Sequence, residues 1–460
     1  MSYNNTTKKL VIFWVIAIPL LIGWYAFLQA KNDPKKLIGF AYNTSKVLPL
    51  GDKYDTSLEL AHYLLQEDGQ ERTFMILLQN NMELRPGGGY IGSFAIVKIK
   101  NGAVIESAVH DTANFDGRIP DTIGVPYPMK ETMHINSWKF RDSNWMPDFA
   151  ANARVAEDFY HLGGGTEKFD GIIAINATVL DTVLDITGPI TLDGFPDTYQ
   201  SGDAILKLEY QVEKGYKEQD IQKGDRKVIM DELLKEIVKR AKALSLREKL
   251  TLVSQFIHVL DSKDVQLYLM DVRMAQLVDA VNWGGTVDAT WDKDYLMVVD
   301  ANLASYKTDH VVERSIDYDL DLSGTIPQAV LTIHYNNTAT QKDWKTNDYQ
   351  TYVRVYAPND TWFTDISNCV LPAQYGTKYD KRYVGCLVHV PLGTQKDIVV
   401  RYNLPIDLKN SYPYDLKIQK QSGVHNIPVN VHVKNSGMDM QEYTFTMDTD
   451  VTLSETMEKK

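Results

Sequence analysis

"FMILLQNNMELRPGGGYIGSFAIVKI", residues 74–99, decides how the first half of this chain folds. Gly87, Gly89 and Gly92 stand in the G-x-G-x-x-G spacing that cradles a dinucleotide pyrophosphate when a strand precedes the glycines and a helix follows them. A strand does precede them, but the next stretch, "SFAIVKIKNGAVIESAV", alternates apolar and polar residues and turns at Asn101-Gly102. That pattern is a β-hairpin closed by a type I′ turn. Without a helix N-terminus there is neither an amide cluster nor a helix dipole to hold a pyrophosphate, so no nucleotide cofactor is expected. The run Gly87, Gly88, Gly89 is then expected to let the backbone turn sharply or approach a ligand beside Arg85, with Asn80, Asn81 and Glu83 around it.

The 460 residues are 44% hydrophobic and 23% charged, enough for two or three domains with their own cores. A net charge of −12 gives no general affinity for nucleic acid, so an anionic partner needs a local basic site. Leu10–Ala30 is an uninterrupted apolar run, and a helix of about 20 such residues crosses a bilayer core. Lys8 and Lys9 hold residues 1–9 in the cytoplasm, which predicts a signal anchor over 10–30 and a single-pass plasma-membrane protein with its bulk outside. Cleavage after Ala30 is disfavoured by Leu28 and by the length of the run. The two cysteines, Cys369 and Cys386, allow a disulfide in that compartment, and the alternative is two unpaired thiols in strands.

Residues 31–70 read as a tether and a short amphipathic helix, and an α/β pattern fills 71–294. Within it, "PDFAANARVAEDFYHL" predicts a helix. "FDGIIAINATVLDTVLDITGPITL" predicts a strand, a helix capped by Asn176, and a second strand, a βαβ unit in a sheet with helices on both faces. "KGDRKVIMDELLKEIVKRAKAL" and "REKLTLVSQFIHVL" predict two more helices. Over 295–455 the period changes to two, with short alternating strands between Pro, Asn, Asp and Gly turns, which predicts a C-terminal β-sandwich.

Two polar clusters could carry chemistry. "RDSNWMPD" packs Arg141, Asp142, Asn144 and Asp148 into a loop before a helix, where functional residues gather. The same residues equally suit an acidic Asp148 in the first turn of the helix and a surface pair of Arg141 with Asp142. "KGDRK" places Lys223 and Arg226 three apart at a helix start, where cations oppose the dipole unless an anion sits between, and a solvated basic face is the alternative. No G-x-S-x-G, H-E-x-x-H, Walker A or EF-hand pattern is present, and His110 beside Asp111 is more simply structural than a base.

"LLQNNMELRPGGGYIGSFAIVKIKNG", "RDSNWMPDF", "DGIIAINATVLDTVLDITGPI" and "VVDANLASYKTD" together resemble the motifs of a bacterial exported family, domain of unknown function 4012, from about Arg72 to about Asp309. That resemblance implies no activity. The order of elements is more distantly similar to the LytR-CpsA-Psr enzymes, which move glycopolymers from a polyprenyl pyrophosphate carrier onto peptidoglycan. Arg85 precedes "SFAIVKI", "HDT" (110–112) stands where those enzymes have Arg-Asp-Thr, and Lys223 and Arg226 stand where they have two arginines. This resemblance implies an α/β domain that binds a lipid-linked glycan or peptidoglycan, with Arg85, Arg141, Lys223 and Arg226 on the pyrophosphate. Asp111, Asp142 or Asp148 would hold Mg²⁺ or accept a proton. His110, Lys223 and Lys227 depart from that pattern, and "EYQVEKGYKEQD" lacks its paired arginines. The competing expectation is a non-catalytic envelope or adhesion protein whose α/β part is a scaffold and whose β-sandwich binds a glycan or protein.

Overall fold

The computed structural model describes residues 34–454 apart from 49, 223–225, 227, 407, 409–413 and 436–439. The anchor expected over Leu10–Ala30 lies outside the described residues, and among the described residues no helix is long and apolar enough to cross a membrane.

The first sheet is mixed. It contains β1 (Glu71–Arg85), β2 (Gly88–Lys100), β3 (Ala103–Asp111), β4 (Gly171–Asn176) and, after a small hairpin of β5 (Ile190–Thr191) with β6 (Thr198–Tyr199), β7 (Val265–Leu269). Their order is β3-β2-β1-β4-β7. Only β1 and β4 run parallel, and the other neighbours are antiparallel. The β2–β3 turn has φ of 51° at Asn101 and 70° at Gly102, as a type I′ turn requires. The expected βαβ unit is corrected: after the helix Val179–Thr187 the chain enters β5, which pairs with β6 and not with the main sheet. A two-residue strand beside Gly188-Pro189 offers too little backbone to extend the sheet.

Alternation along β4 sorts the core onto two faces. Ile172 and Ala174 pack with Met75, Leu77 and Phe94 against Phe149, Ala153 and Phe159 of the helix Phe149–Leu162. Ile173 and Ile175 face the helices Leu246–Asp261 and Val272–Ala280 through Ile257, Leu260 and Val278. The helix Leu246–Asp261 starts in a capping box, with Ser245 and Glu248 each bonding the other's backbone N–H, at 3.3 and 2.7 Å. Asn176 does not cap the following helix as expected. It ends β4, the N-cap is Thr178, and the Asn176 amide instead donates to Asp264 and Ser422.

The chain continues through β8 (Asp294–Val299), β9 (Val312–Asp321), β10 (Gln328–Asn337), β11 (Tyr349–Pro358), β12 (Trp362–Ile366), β13 (Gln374–Lys378), β14 (Lys381–Val390), β15 (Gln395–Asn403), β16 (Asp415–Ile418), β17 (Ile427–Lys434), β18 (Gln441–Met447) and β19 (Val451–Ser454). These form two six-stranded sheets, β12-β15-β10-β9-β17-β18 and β13-β14-β11-β8-β16-β19. Their inner residues, among them Tyr318, Leu331, Val355, Val388, Val400 and Val431, make one buried cluster, the core of a β-sandwich.

Cys369, after β12, is bonded to Cys386 in β14 across a sequence separation of 17. Replacing both by alanine is expected to remove about 3 kcal/mol by restoring entropy to the unfolded chain. The denaturant midpoint should fall by the same amount when the native chain is reduced, while reduction leaves the variant unchanged.

Candidate functional site

Along the end of β1 the side chains alternate, and Glu83 and Arg85 face a cleft of about 900 Å³. Tyr90 enters it from β2. Lys139, Arg141 and Asp142 come from the loop and short 3₁₀ turn that precede the helix Phe149–Leu162, and Glu213 and Lys214 from the end of the helix Ala204–Glu213. Lys307 and Trp344 reach it from the chain of the sandwich domain. Five cationic side chains, Arg85, Lys139, Arg141, Lys214 and Lys307, thus share the wall with four carboxylates, Glu83, Asp121, Asp142 and Glu213.

Arg85 is completely buried. Its Nε donates to Asp142 Oδ1 at 2.8 Å and its Nη2 to Glu83 Oε1 at 3.0 Å. Its Nη1 donates to the carbonyls of Leu84 and Asn302 at 3.2 and 2.8 Å. Burial disfavours the guanidinium charge, but Asp142 and Glu83 outweigh it and hold the pKa above the ordinary arginine value. Arg85 therefore joins the end of β1 to the 3₁₀ turn and to the sandwich domain, with its donors committed inside the chain.

Arg141 differs, because its Nε is bonded to buried Asp116 while its side chain keeps about a third of its surface exposed in the cleft. Burial raises the Asp116 carboxyl despite that arginine. The Tyr90 hydroxyl is pushed up to about 12 by burial, with Arg141 pulling the other way. Lys307 is paired with Glu209 at 3.2 Å. Burial works against its charge, yet Glu209 and Glu83 raise its pKa. Glu209 is itself raised by burial beyond what Lys307 recovers.

The sequence-predicted residues separate into groups. Arg85, Arg141, Asp142 and Glu83 meet in the cleft. Arg226 stands beside it, 3.6 Å from Glu213 and 3.5 Å from Asp111, which also caps the short helix Thr112–Phe115. Asp148 is outside the cleft: its two oxygens accept from the N–H groups of Ala151 and Val287, a helix cap tied to the segment before β8. Lys223 lies outside the described residues. His110 stacks on Phe94 at 4.8 Å, and burial lowers its pKa. Among the described residues no three His, Cys, Asp or Glu side chains are arranged to hold a metal ion, and Glu83 and Asp142 are already taken by Arg85. These residues do not fit a Mg²⁺ site. Sequence reasoning missed Tyr90, Lys139, Lys214, Lys307 and Trp344. Only Lys139, two residues before Arg141, had a local signal.

The glycine run serves packing. Gly88 has φ 129°, and a Cβ there would lie 2.1 Å from Gln79 Oε1 and 2.6 Å from Asn176 Oδ1. A Cβ on Gly89 would lie 2.1–2.3 Å from the backbone of Asn80 and Asn81, and one on Gly87 2.3 Å from Asn152 Nδ2. Around this corner Asn144 donates to the Gly89 carbonyl at 2.6 Å and Asn80 accepts from Met82 N–H at 3.1 Å. Gln266 donates to the Gly87 carbonyl at 2.9 Å and to Ser422 at 3.1 Å, and Asn81 donates to the Gly423 carbonyl at 3.1 Å. A strip of the sandwich domain, Gln421–Gly423, thereby closes the corner, and Gln421 also donates to the Arg85 carbonyl at 3.0 Å.

The same seam holds a titrating group. His425 contacts Asp448 at 3.0 Å and Asp264 at 3.1 Å, one through each ring nitrogen. Burial opposes its charge, but these hydrogen bonds raise its pKa to about 9. A histidine raised in the folded state contributes its stability fully below the unfolded value of about 6.5 and loses it as pH rises towards 9. Neighbouring Lys420, lowered to about 8 by burial, adds the opposite trend above that pH. Between pH 6.5 and 8 the native chain is therefore expected to lose about 1 kcal/mol more than His425→Gln, measured by denaturant unfolding.

No curated protein matches the chain. Among solved structures it is distantly similar to the Lin1025 protein of Listeria innocua, with 14% identity, 50% of this chain and 86% of that chain covered, and a TM-score of 0.26. Protein gbs0355 of Streptococcus agalactiae is similar at 12% identity, covering 49% and 76%, with a TM-score of 0.30. Residues 69–212, which supply the glycine corner and Arg85, Arg141 and Asp142 of the cleft, match the family model described as "Protein of unknown function (DUF4012)".

Proposed function

We propose that the chain is a membrane-anchored, extracytoplasmic cell-envelope protein whose α/β cleft binds the phosphates of a lipid-linked glycan. The observation that carries this reading is the meeting of Arg141, Lys139, Lys214 and Lys307, from distant parts of the sequence, in one cleft beside Arg85. Arg141 and the lysines would contact the phosphates, while Arg85, saturated by Asp142 and Glu83, fixes the wall behind them. Tyr90 and Trp344 offer faces for a sugar or prenyl group. The apolar run Leu10–Ala30 and the Cys369–Cys386 bond, which persists in oxidising compartments, support the location. Transfer of the glycan phosphate to an acceptor hydroxyl, with polyprenyl phosphate as the leaving group and the hydroxyl proton passing to a base or to solvent, is the activity that the similarity of element order to the LytR-CpsA-Psr enzymes suggests.

The saturation of Arg85 and the glycine packing favour a second reading, a non-catalytic envelope or adhesion scaffold. The two part on ligand binding by the full-length chain in detergent. Under the first, farnesyl pyrophosphate raises the melting temperature and Arg141→Ala or Lys307→Ala weakens binding about tenfold. Absence of any ligand-dependent stabilisation leaves the scaffold reading standing.

A further inference from the structure

The end of the α/β domain away from the sandwich is both apolar and basic. β1 and β4 run parallel, so both start at that end, while their far ends meet the sandwich, where Arg85 donates to the Asn302 carbonyl and Asn176 to Ser422. At the starting end the helix Pro34–Ser45 begins, and its Lys35 donates to the Asn101 carbonyl in the β2–β3 turn at 2.6 Å. Pro34 follows the apolar run Leu10–Ala30 by four residues, which span at most about 14 Å.

The helix Leu246–Asp261 leads to the same end. It finishes at the seam, where Lys263 donates to the Lys420 carbonyl at 3.0 Å, and its 16 residues, about 24 Å, carry its first turns away from the sandwich. One apolar face changes surroundings along it. Ile257 and Leu260 are 7% and 2% exposed in the core behind the sheet, yet Leu250 and Val253, seven and four residues before Ile257 and so on its face, are 62% and 47% exposed. Val104, after the β2–β3 turn, and Val272, after the end of β7 that pairs with the start of β4, add exposed apolar side chains there. Charge is concentrated in the same place. Residues 235–249 hold six Lys or Arg against two Glu, in a chain of net charge −12. Glu236 is taken by Lys239 and Arg240, and Glu248 by the capping box, while Lys242 and Arg247 flank the turn between the helices and are exposed.

We propose that this end of the α/β domain docks on the surface of an anionic lipid bilayer, an inference that rests on the membrane-anchored reading. An anchor over Leu10–Ala30 brings Pro34, and with it the starting end of the sheet, to the bilayer surface. Leu250 and Val253 then enter the interface and Lys242 and Arg247 face the lipid phosphates, the combination of a bare apolar face and basic flanks that holds amphipathic helices on membranes. A neutral surface would leave those cations without a counterpart, in a chain that is otherwise acidic. The cleft, at the opposite end of β1, opens towards the envelope, so a lipid-linked ligand has to be lifted from the bilayer to enter it.

The full-length chain, with its disulfide intact, tests this in nanodiscs of phosphatidylcholine alone or mixed with phosphatidylglycerol. A nitroxide on Val253→Cys reports the docking face, and one on Asn359→Cys, in the turn between β11 and β12, is the control. Collisions of the label at position 253 with the neutral, water-soluble nickel–EDDA complex should be at least about tenfold rarer in the anionic nanodiscs, since each cation near such a surface contributes about a factor of five. The label at position 359 should collide equally often in both. Lys242→Glu combined with Arg247→Glu should return position 253 to its value in phosphatidylcholine. A chain that does not enter nanodiscs refutes the anchored reading and this inference together. A chain that enters them overturns this inference alone if position 253 stays as accessible as position 359, or if the charge reversals leave its protection intact. Equal protection in both lipids, as contact with a second copy gives, also overturns it.

Discussion

Arg85→Met is expected to destabilise the protein by about 3–5 kcal/mol, the cost of leaving buried charges without their partner. Glu83 and Asp142 both sit in the protein interior against the guanidinium, and methionine fills much of its volume while answering neither carboxylate. Two backbone carbonyls, of Leu84 and Asn302, lose their donor in the same step. Since a whole domain is stable by about 5–15 kcal/mol, the loss should appear as a large fall in the urea midpoint. Adding Glu83→Gln and Asp142→Asn to the variant should recover part of it, because the orphaned charges are then gone. A role for Arg85 as a ligand contact predicts the reverse pattern, with stability retained and binding lost.

The second large effect is expected at Gly89. Alanine there places its Cβ 2.1–2.3 Å from the main chain of Asn80 and Asn81, and main-chain atoms of a central strand have nowhere to go. Gly89→Ala should cost more than about 3 kcal/mol, as overpacking against backbone does. Gly92, the third glycine of the same G-x-G-x-x-G spacing, meets nothing closer than the Tyr90 ring at 3.8 Å. Gly92→Ala should therefore stay within about 1 kcal/mol of the native chain. Thermal unfolding of the two variants side by side checks the pair. A dinucleotide-binding loop would instead need all three glycines, for its turn, for approach to the pyrophosphate and for helix–strand packing.

What the sequence told and what it hid follow from the range of the interactions. The strand over 73–79, the Asn101-Gly102 turn, the helix after Pro147 and the alternating strands from Tyr295 were legible because each is set by neighbours a few residues away. The pairing of Glu83 with Arg85 was also within reach, two residues apart on one face of a strand. Asp142 and the Asn302 carbonyl were not, since they come to Arg85 from 57 and 217 residues away. Asn176 misled for a related reason. Its residue type suits a helix cap, but an acceptor, the Ser422 hydroxyl oxygen 246 residues on, took its amide. The cleft was half visible: Arg141 and Asp142 stood out as a polar cluster, whereas Lys307 and Trp344 reach it only because the sandwich docks there.

Ser422 has a consequence for how the protein is made. Its hydroxyl accepts from the amides of Gln266 and Asn176 and donates to the Lys263 carbonyl at 2.6 Å, while its backbone bridges to Gly87. A chain synthesised from its N-terminus exposes β1, β4 and β7 long before residue 422 emerges, so during that interval the corner around Gly87 lacks its common partner. The segment 69–212 that matches the family model is thus among the first parts to be translated and among the last to be completed. A nascent chain halted before Gln421 would carry that polar layer open to water and to chaperones.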